Sequence, residues 1–192
     1  MKKDKIFVRP LAFSDINDKY ISWFKDIEVT KFLDAKNITI KDSKEYLYSG
    51  ILNKSYYIYA ICDLEKGNHI GNIKIGPIRR NDGISDLVTV IGDKNYWGKK
   101  MASKAIKVII DIGFKEGGVR KFCASIDSNN LASINAYKHA GFDIEATLIN
   151  YFRHDFKGKN FFSDKVYVTI ENKDFDLKKV QTWQPVNLLD IE

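Results

Sequence analysis

Hydrophobic spacing divides the chain into stretches of two different periods. Residues 6–11 read as a strand, and Ser14 then opens a helical pattern in which Ile16, Tyr20, Trp23 and Phe24 fall at helical spacing. A short second helix is predicted over 26–33. After a polar stretch at 34–41, DSKEYLYSGILN (42–53) reads as a third helix with Tyr46, Leu47 and Ile51 on one side, weakened by Gly50. Three strands follow in quick succession at 56–63, 70–78 and 87–91, separated by the turn-like EKGN and RRNDG, a spacing that suits antiparallel hairpins. The period then changes, to a helix over about 101–114, a strand at 122–126 and a short helix at 131–140 closed by Gly141. Two final strands are predicted at 144–152 and 165–170, with the basic, aromatic RHDFKGKNFFSD as a loop between them. This order predicts a mixed α/β sheet, antiparallel first and with a helix crossover later. From Glu171 the chain turns polar and charged, with Trp183, Leu188 and Leu189 as apolar residues able to dock. No repeat or linker points to a second domain.

Composition narrows the class. A chain of 192 residues with 44% hydrophobic content can bury one substantial core. The 31 Lys and Arg against 25 Asp and Glu leave a formal charge of +6, which favours anionic small molecules as readily as nucleic acid. The opening MKKDKIFVRP lacks an apolar run of signal-peptide length, and no stretch approaches bilayer-spanning length, so a soluble, cytoplasmic protein is expected. Cys62 and Cys123 each lie inside an apolar strand-like segment, which reads as buried reduced thiols. His69 (in a turn), His139 and His154 show no ligand-like spacing, and no metal is expected.

Two stretches carry candidate chemistry. IGDKNYWGKKMAS (91–103) joins an apolar strand to a helix start, where unpaired N–H groups and the helix dipole can bind a phosphate. Gly98 and Ala102 are small enough to admit an anion to the main chain, and Ser103 brings a hydroxyl donor. The same stretch also reads as a capped helix start with a lysine-rich solvated face. NNLASINAYKHAGF (129–142) places Asn130 at an N-cap, with Ser133 and Tyr137 on one helix face. A phenol with a pKa near ~10 is a proton donor at neutral pH when it faces a thiolate of similar basicity. Core packing is the other role open to Tyr137.

The run from Asp86 to Phe142 has an acidic residue opening a strand, then IGDKNYWGKKMASKA, then Asn130-x-x-Ser133-x-x-x-Tyr137-x-x-x-Gly141-Phe142. In this it resembles the GNAT superfamily of acetyl-CoA-dependent N-acetyltransferases. Within that superfamily it looks like the branch of ribosomal-protein N-terminal and bacterial nucleotide-aminosugar N-acetyltransferases. Looser similarity runs from Phe7-Val8-Arg9-Pro10-Leu11, through Trp23-Phe24-Lys25-Asp26-x-Glu28-Val29, to the strand near Val168. The loop departs from the family pattern of Gln or Arg, two residues, Gly, one residue, then Gly or Ala: those positions hold Trp97, Lys100 and Ala102. Lys100 strains the turn if its φ is positive. Its charge, with Lys99 and Lys104, would favour a diphosphate.

The resemblance implies a single mixed, mostly antiparallel sheet of six to seven strands with flanking helices, splayed at the cofactor site. It covers an acetyltransferase domain at 1–170 and leaves out the polar C-terminal tail at 171–192, whose docking on that domain is expected from Trp183, Leu188 and Leu189 alone. Acetyl-CoA is the implied co-substrate. Backbone N–H groups of Val88, Val90 and Ile91 would hold the pantetheine arm and the thioester oxygen. Trp97, Gly98, Lys99, Lys100, Met101, Ala102 and Ser103 would bind the diphosphate, and Asn130 and Ser133 would contact the cofactor. Tyr137 would protonate the departing sulfur, while Asp86 reads either as a general base or as a strand-edge charge. Trp23, Arg79 and Phe152 would line the acceptor cleft, together with other aromatic and basic side chains.

A small-molecule amine is the expected acceptor. A nucleotide-linked amino sugar of surface-glycan biosynthesis is favoured by the likeness of IGNIKIGPIRR and SDLVTVIGDKNYWGKK to sugar-modifying members, with Arg79, Arg80, Arg153 and Lys159 as candidates for its phosphate. A protein N-terminal acetyltransferase of ribosomal-protein type is the enzyme alternative, and a non-catalytic CoA-binding module the alternative from another class. An acidic groove would suit a cationic acceptor, and a closed basic pocket a nucleotide sugar. No nucleic-acid or membrane partner is expected, and the chain is expected to be a monomer or homodimer.

Overall fold

The computed structural model describes residues 5–156 and 159–192. Its strands are β1 (Ile6–Pro10), β2 (Tyr57–Asp63), β3 (His69–Arg79), β4 (Ile84–Ile91), β5 (Lys121–Asp127), β6 (Asp143–Phe156) and β7 (Lys159–Glu171). The helices are α1 (Asp18–Lys25), α2 (Ile27–Thr30), α3 (Ile40–Leu52), α4 (Met101–Lys115), α5 (Leu131–Ala140) and α6 (Leu177–Thr182). The strands form one sheet in the order β1-β2-β3-β4-β5-β7-β6, antiparallel throughout except where β4 meets β5. That parallel pair is joined through α4, the helix crossover that a parallel connection requires.

Most elements stand where hydrophobic spacing puts them, and the exceptions have local causes. Ser14 does not open the first helix: it sits in a 3-10 turn at Phe13–Asp15. The Asp15 carboxylate closes that turn by accepting from Arg9 at 2.6 and 2.7 Å and from the Ala12 N–H at 2.8 Å. The helix begins one step later, capped by the Asn17 side chain, which accepts from the Tyr20 N–H. Likewise, Thr39 and Asp42 form a reciprocal capping box at the start of α3. Gly50, inside that helix, packs against the Tyr56 ring, where any Cβ would overlap it.

The larger correction concerns the stretch predicted as a loop at 153–164. Its described residues continue β6 and β7 as one long hairpin, with Arg153 paired to Phe162, His154 to Phe161 and Asp155 to Asn160. Cross-strand pairs hold this part of the hairpin, His154 stacking on Phe161 at 4.8 Å and Arg153 donating to Asn160 at 3.0 Å, and such pairing is not visible in the spacing of a charged, glycine-containing stretch. Residues 157–158 of the stretch lie outside the described residues, as does the opening MKKD. His69 is likewise the first residue of β3 rather than part of a turn.

The core lies on both faces of the sheet's first half, and β2 is buried along its whole length. Tyr57, Tyr59, Ile61, Ile73, Ile75 and Leu87 alternate on one side, while Ile58, Ala60 and Cys62 occupy the other. In the tail, Val180, Val186 and Ile191 are fully buried, whereas Leu189 is 81% exposed. Arg80 donates to the carbonyls of Val180 (2.7 Å) and Trp183 (3.0 Å), which clamps this segment to the β3–β4 hairpin. Both cysteines are buried and unbridged.

Candidate active site

The site is built around the far half of β4. Its parallel pairing with β5 is confined to Ile84–Lys121, Ser85–Phe122 and Asp86–Cys123. Beyond Asp86 the two strands part, while β4 stays paired to β3 as far as Ile91 opposite Gly71. The segment 87–91 therefore has a sheet neighbour on one edge only. Its other edge offers backbone hydrogen-bonding groups to whatever enters the gap.

Tyr137 stands at the mouth of that gap. The side chain is 3% exposed, packed edge-on against Phe142 at 5.0 Å between ring centroids. Its hydroxyl donates to the Leu87 carbonyl at 2.9 Å, the first residue past the last β4–β5 pair, and lies 3.4 Å from Thr89 Oγ1. Burial drives the phenol's pKa above its ordinary value, so the group stays protonated across the physiological range; the Thr89 hydroxyl opposes the shift and the Asp86 charge adds to it. Tyr137 is delivered by α5, whose N-cap is Asn130, its side chain accepting from the Ser133 N–H at 3.1 Å. Gly141 closes the helix with φ 105°.

The basic loop adopts the geometry that its substituted glycine raised as a question. Lys100 takes φ 60° and ψ 24°, a left-handed conformation costly for a side chain with a Cβ, and Gly98 takes φ 75°. A Cβ at Gly98 would meet nothing within 4 Å, so glycine is required there for its backbone angle alone. Lys100 is also the N-cap of α4 and supplies no side-chain cap. The first intrahelical bond runs from the Lys104 N–H to the Lys100 carbonyl (3.2 Å), so the N–H groups of Met101, Ala102 and Ser103 precede it. Ser103 does not add a free hydroxyl donor: it is 6% exposed and donates to the Lys100 carbonyl at 3.0 Å. Trp97, 42% exposed, donates from Nε1 to the Ile91 carbonyl at 2.8 Å and so fixes the loop to the end of β4. Just upstream, Lys94 binds Asp26 (2.7 Å) and Glu28 (2.6 Å); hydrogen bonds to these two carboxylates push its pKa up to about 12. Gly92 lies flat on the Trp23 indole, where a Cβ would overlap the ring.

The opposite face of β4 forms the wall of a cavity of about 440 Å³. Val88, Val90, Asn72, Lys74 and Ile58 line it from the sheet, and Tyr20, Phe24, Leu33, Asp34, Ala35, Ile38, Asp42, Ser43 and Tyr46 from the segments above. Burial pushes the Tyr20 phenol up to about 12. Lys74 donates to the Tyr46 hydroxyl at 3.0 Å. Asp86 falls on this face by strand alternation with Val88 and Val90; burial raises its pKa, opposed by the charges of Lys74, Lys165 and Arg79.

Several residues expected at the acceptor cleft lie elsewhere. Trp23 is buried beneath Gly92, stacked edge-on to His69 at 5.0 Å. Arg79 is exposed and paired with Asp82 at 2.6 Å, and Phe152 sits in the β6–β7 hairpin against Ser163. The arginines expected to meet a substrate phosphate have other partners: Arg80 holds the tail and Arg153 donates to Asn160 at 3.0 Å. Conversely, Asn72, Lys74, Asp34, Asp42 and Tyr46 escaped sequence reasoning. They come from three separate segments with no shared motif: the β3–β4 register sets Asn72 and Lys74 beside Val90 and Val88, and the packing of α3 and the segment before it over the sheet brings Asp34, Asp42 and Tyr46 to them.

Residues 5–143 match the family model described as Acetyltransferase (GNAT) domain. An uncharacterized N-acetyltransferase p20 from Bacillus licheniformis is 24% identical over 152 residues, 77% of this chain and 84% of the relative. Spermidine N-acetyltransferase from Vibrio cholerae, solved with CoA and spermine, superposes with a TM-score of 0.76 at 16% identity, covering 88% of this chain and 96% of that one. Ribosomal-protein-S5-alanine acetyltransferase from Vibrio fischeri gives 0.71 at 17% identity, covering 92% and 98%. The likeness to the two solved structures is one of fold, a mixed and mostly antiparallel seven-stranded sheet with flanking helices. The chain belongs to the GNAT family of N-acetyltransferases.

Proposed function

We propose that the protein transfers the acetyl group of acetyl-CoA to the primary amine of a small, positively charged acceptor held in the cavity over β3 and β4. One observation carries this reading: the parted strand β4 has a buried Tyr137 hydroxyl at its gap and an acidic, aromatic cavity against Val88 and Val90 on its other face. A thioester lying in the gap would meet an amine in the cavity at these residues.

In this reading the pantetheine arm takes the place of a strand beside 87–91. Backbone groups alternate between the two edges of a strand, so Thr89 and Ile91, in phase with the Leu87 carbonyl, turn their N–H groups to the gap and serve the arm and the thioester oxygen, whereas the groups expected of Val88 and Val90 turn to β3. The 97–103 loop receives the diphosphate on main-chain donors, assisted by the charges of Lys99 and Lys100. The amine nitrogen attacks the carbonyl carbon, the C–S bond breaks, and CoA leaves as a thiolate. Tyr137 turns its O–H from the Leu87 carbonyl to that sulfur. Asp86, half-buried on the cavity face, is the candidate acceptor of the proton shed by the amine. Positioning of the two substrates supplies most of the rate gain.

The acceptor class follows from charge. Asp34 and Asp42 line the cavity against one cation, Lys74. Hydrogen bonds from Thr39 hold the Asp42 carboxyl below its ordinary pKa, so it is ionised at neutral pH. This balance favours an ammonium-bearing acceptor over a nucleotide diphosphate, and the arginine partners described above point the same way. The test is thiol release from acetyl-CoA, with the acetylated product identified by mass, across small diamines, amino sugars, a nucleotide-linked amino sugar and peptides. Small cationic amines are expected to turn over, with a KM that rises with salt. Turnover confined to the nucleotide sugar or to peptides would contradict the proposal.

A further inference from the structure

We infer that the acceptor carries an oxygen close to its amine and that the side-chain amide of Asn72 reads that oxygen, so that hydroxylated amines are preferred to plain alkyl polyamines. The inference rests on the acetyl-transfer reading above and narrows its substrate class.

It starts from His69. Its Nε2 lies 2.9 Å from the Gly71 carbonyl oxygen and 2.9 Å from Asn72 Oδ1. A carbonyl oxygen can only accept, so Nε2 must carry the hydrogen. That hydrogen in turn orients the Asn72 amide: its oxygen faces His69, because the reverse orientation would set two N–H donors against each other. The nitrogen is therefore on the edge turned away from His69. Asn72 is 8% exposed, and its Nδ2 is the one buried side-chain polar atom among the described residues with no hydrogen-bond partner. Buried amide N–H groups are rarely left unmade, since each costs the full desolvation of the donor.

Asn72 lines the cavity and pairs across the sheet with Val90, beside the gap where the thioester would lie. Lys74, two residues on and on the same face, pairs with Val88 and brings a second donor, cationic and 5.7 and 5.5 Å from the ring centroids of Tyr46 and Tyr56. This sheet wall thus offers N–H groups and a positive charge, whereas the segment above offers Asp34 and Asp42. An alkyl polyamine has ammonium groups and no oxygen; it satisfies the carboxylates and leaves the wall of donors unmatched, facing like charge at Lys74. An amino alcohol or amino sugar matches both sides, with hydroxyl lone pairs for Asn72 and ammonium groups for the carboxylates.

A matched pair of diamines tests this: 1,3-diamino-2-propanol and 1,3-diaminopropane carry the same two amines and differ by one hydroxyl. Because the hydroxyl also alters amine basicity, the ratio of their kcat/KM values is read in the wild type and in Asn72→Asp. That variant retains the acceptor for His69 and removes the donor, and Asn72→Leu provides a second baseline. The wild-type ratio is expected to favour the amino alcohol about tenfold more than either variant does. An unchanged ratio in Asn72→Asp, or a wild-type ratio at or below unity whatever the variants do, overturns the inference while leaving acetyl transfer intact. Absence of thiol release with every amine, although acetyl-CoA binds, would remove the underlying reading and this inference with it.

Discussion

The two sides of β4 differ in how completely their polar groups are matched. On the α5 side the Tyr137 hydroxyl takes up the Leu87 carbonyl that the parting strands expose, Asn130 caps its helix, and Phe142 closes over the ring. On the cavity side a buried amide nitrogen stands without a partner, beside an Asp42 carboxylate already held by Thr39 in the capping box of α3. A preorganised donor on one side and unmatched recognition groups on the other are what a shared cofactor step and a chain-specific acceptor step require. In the proposed mechanism the matched side carries the acetyl-CoA step and the unmatched side the choice of acceptor.

The comparison breaks most severely at Tyr137. Tyr137→Phe is expected to lower kcat by about 100-fold while the acetyl-CoA KM changes far less, because the hydroxyl acts on sulfur only as it departs. Steady-state kinetics with acetyl-CoA varied at saturating amine would read this, and retained turnover would return Tyr137 to a packing role. The variant also orphans the Leu87 carbonyl, a loss of about 1 kcal/mol in a chemical melt.

Lys100 gives a smaller effect in which two terms oppose each other. Lys100→Gly removes a Cβ from a left-handed conformation and should raise stability by up to about 1 kcal/mol. It also removes a charge from the loop, so acetyl-CoA binding measured by calorimetry should weaken by a few-fold and lose part of its salt dependence. Binding that tightens instead would show that the missing glycine is simply a cost.

In stability, Asp86 is expected to give the smallest change. Burial raises its pKa, so the folded chain holds this proton more tightly than the unfolded chain does. The carboxyl then costs nothing below its ordinary value of 3.8 and costs stability as pH rises through the raised folded value. Asp86→Asn should therefore raise the melting temperature at pH 7 by about 1–2 °C and leave it unchanged near pH 3. Equal shifts at both pH values would assign the change to packing rather than charge.

The same contrast explains what the sequence made legible. Asn130, Gly141 and the 97–103 loop mark helix ends by local cap and glycine signals, so the placement of the α5 side could be read from spacing, whereas the roles expected of Tyr137 and the loop come from the family resemblance. Lys100 in the place of a family glycine raised the question of a positive φ, and the backbone there takes 60°. The acceptor side depends on which residue of β3 lies opposite which residue of β4, a register that no local pattern reports. Trp23 looked like a cleft aromatic because helical spacing marks a buried face without telling what covers it, and what covers it is Gly92. Arg79 and Arg80 looked available for phosphate because their partners, Asp82 and the tail carbonyls, are fixed by the folding of a hairpin and of a distant segment.

The claim that the two substrates approach β4 from different sides is tested most directly at Val88, whose side chain lines the cavity and which stands between Leu87 and Thr89, the residues whose backbone groups face the gap. Val88→Phe fills the cavity and leaves every main-chain group in place. Measured side by side, acetyl-CoA affinity should stay within about twofold and the amine KM should rise about tenfold or more. A variant that loses acetyl-CoA binding while its amine KM holds would contradict the account.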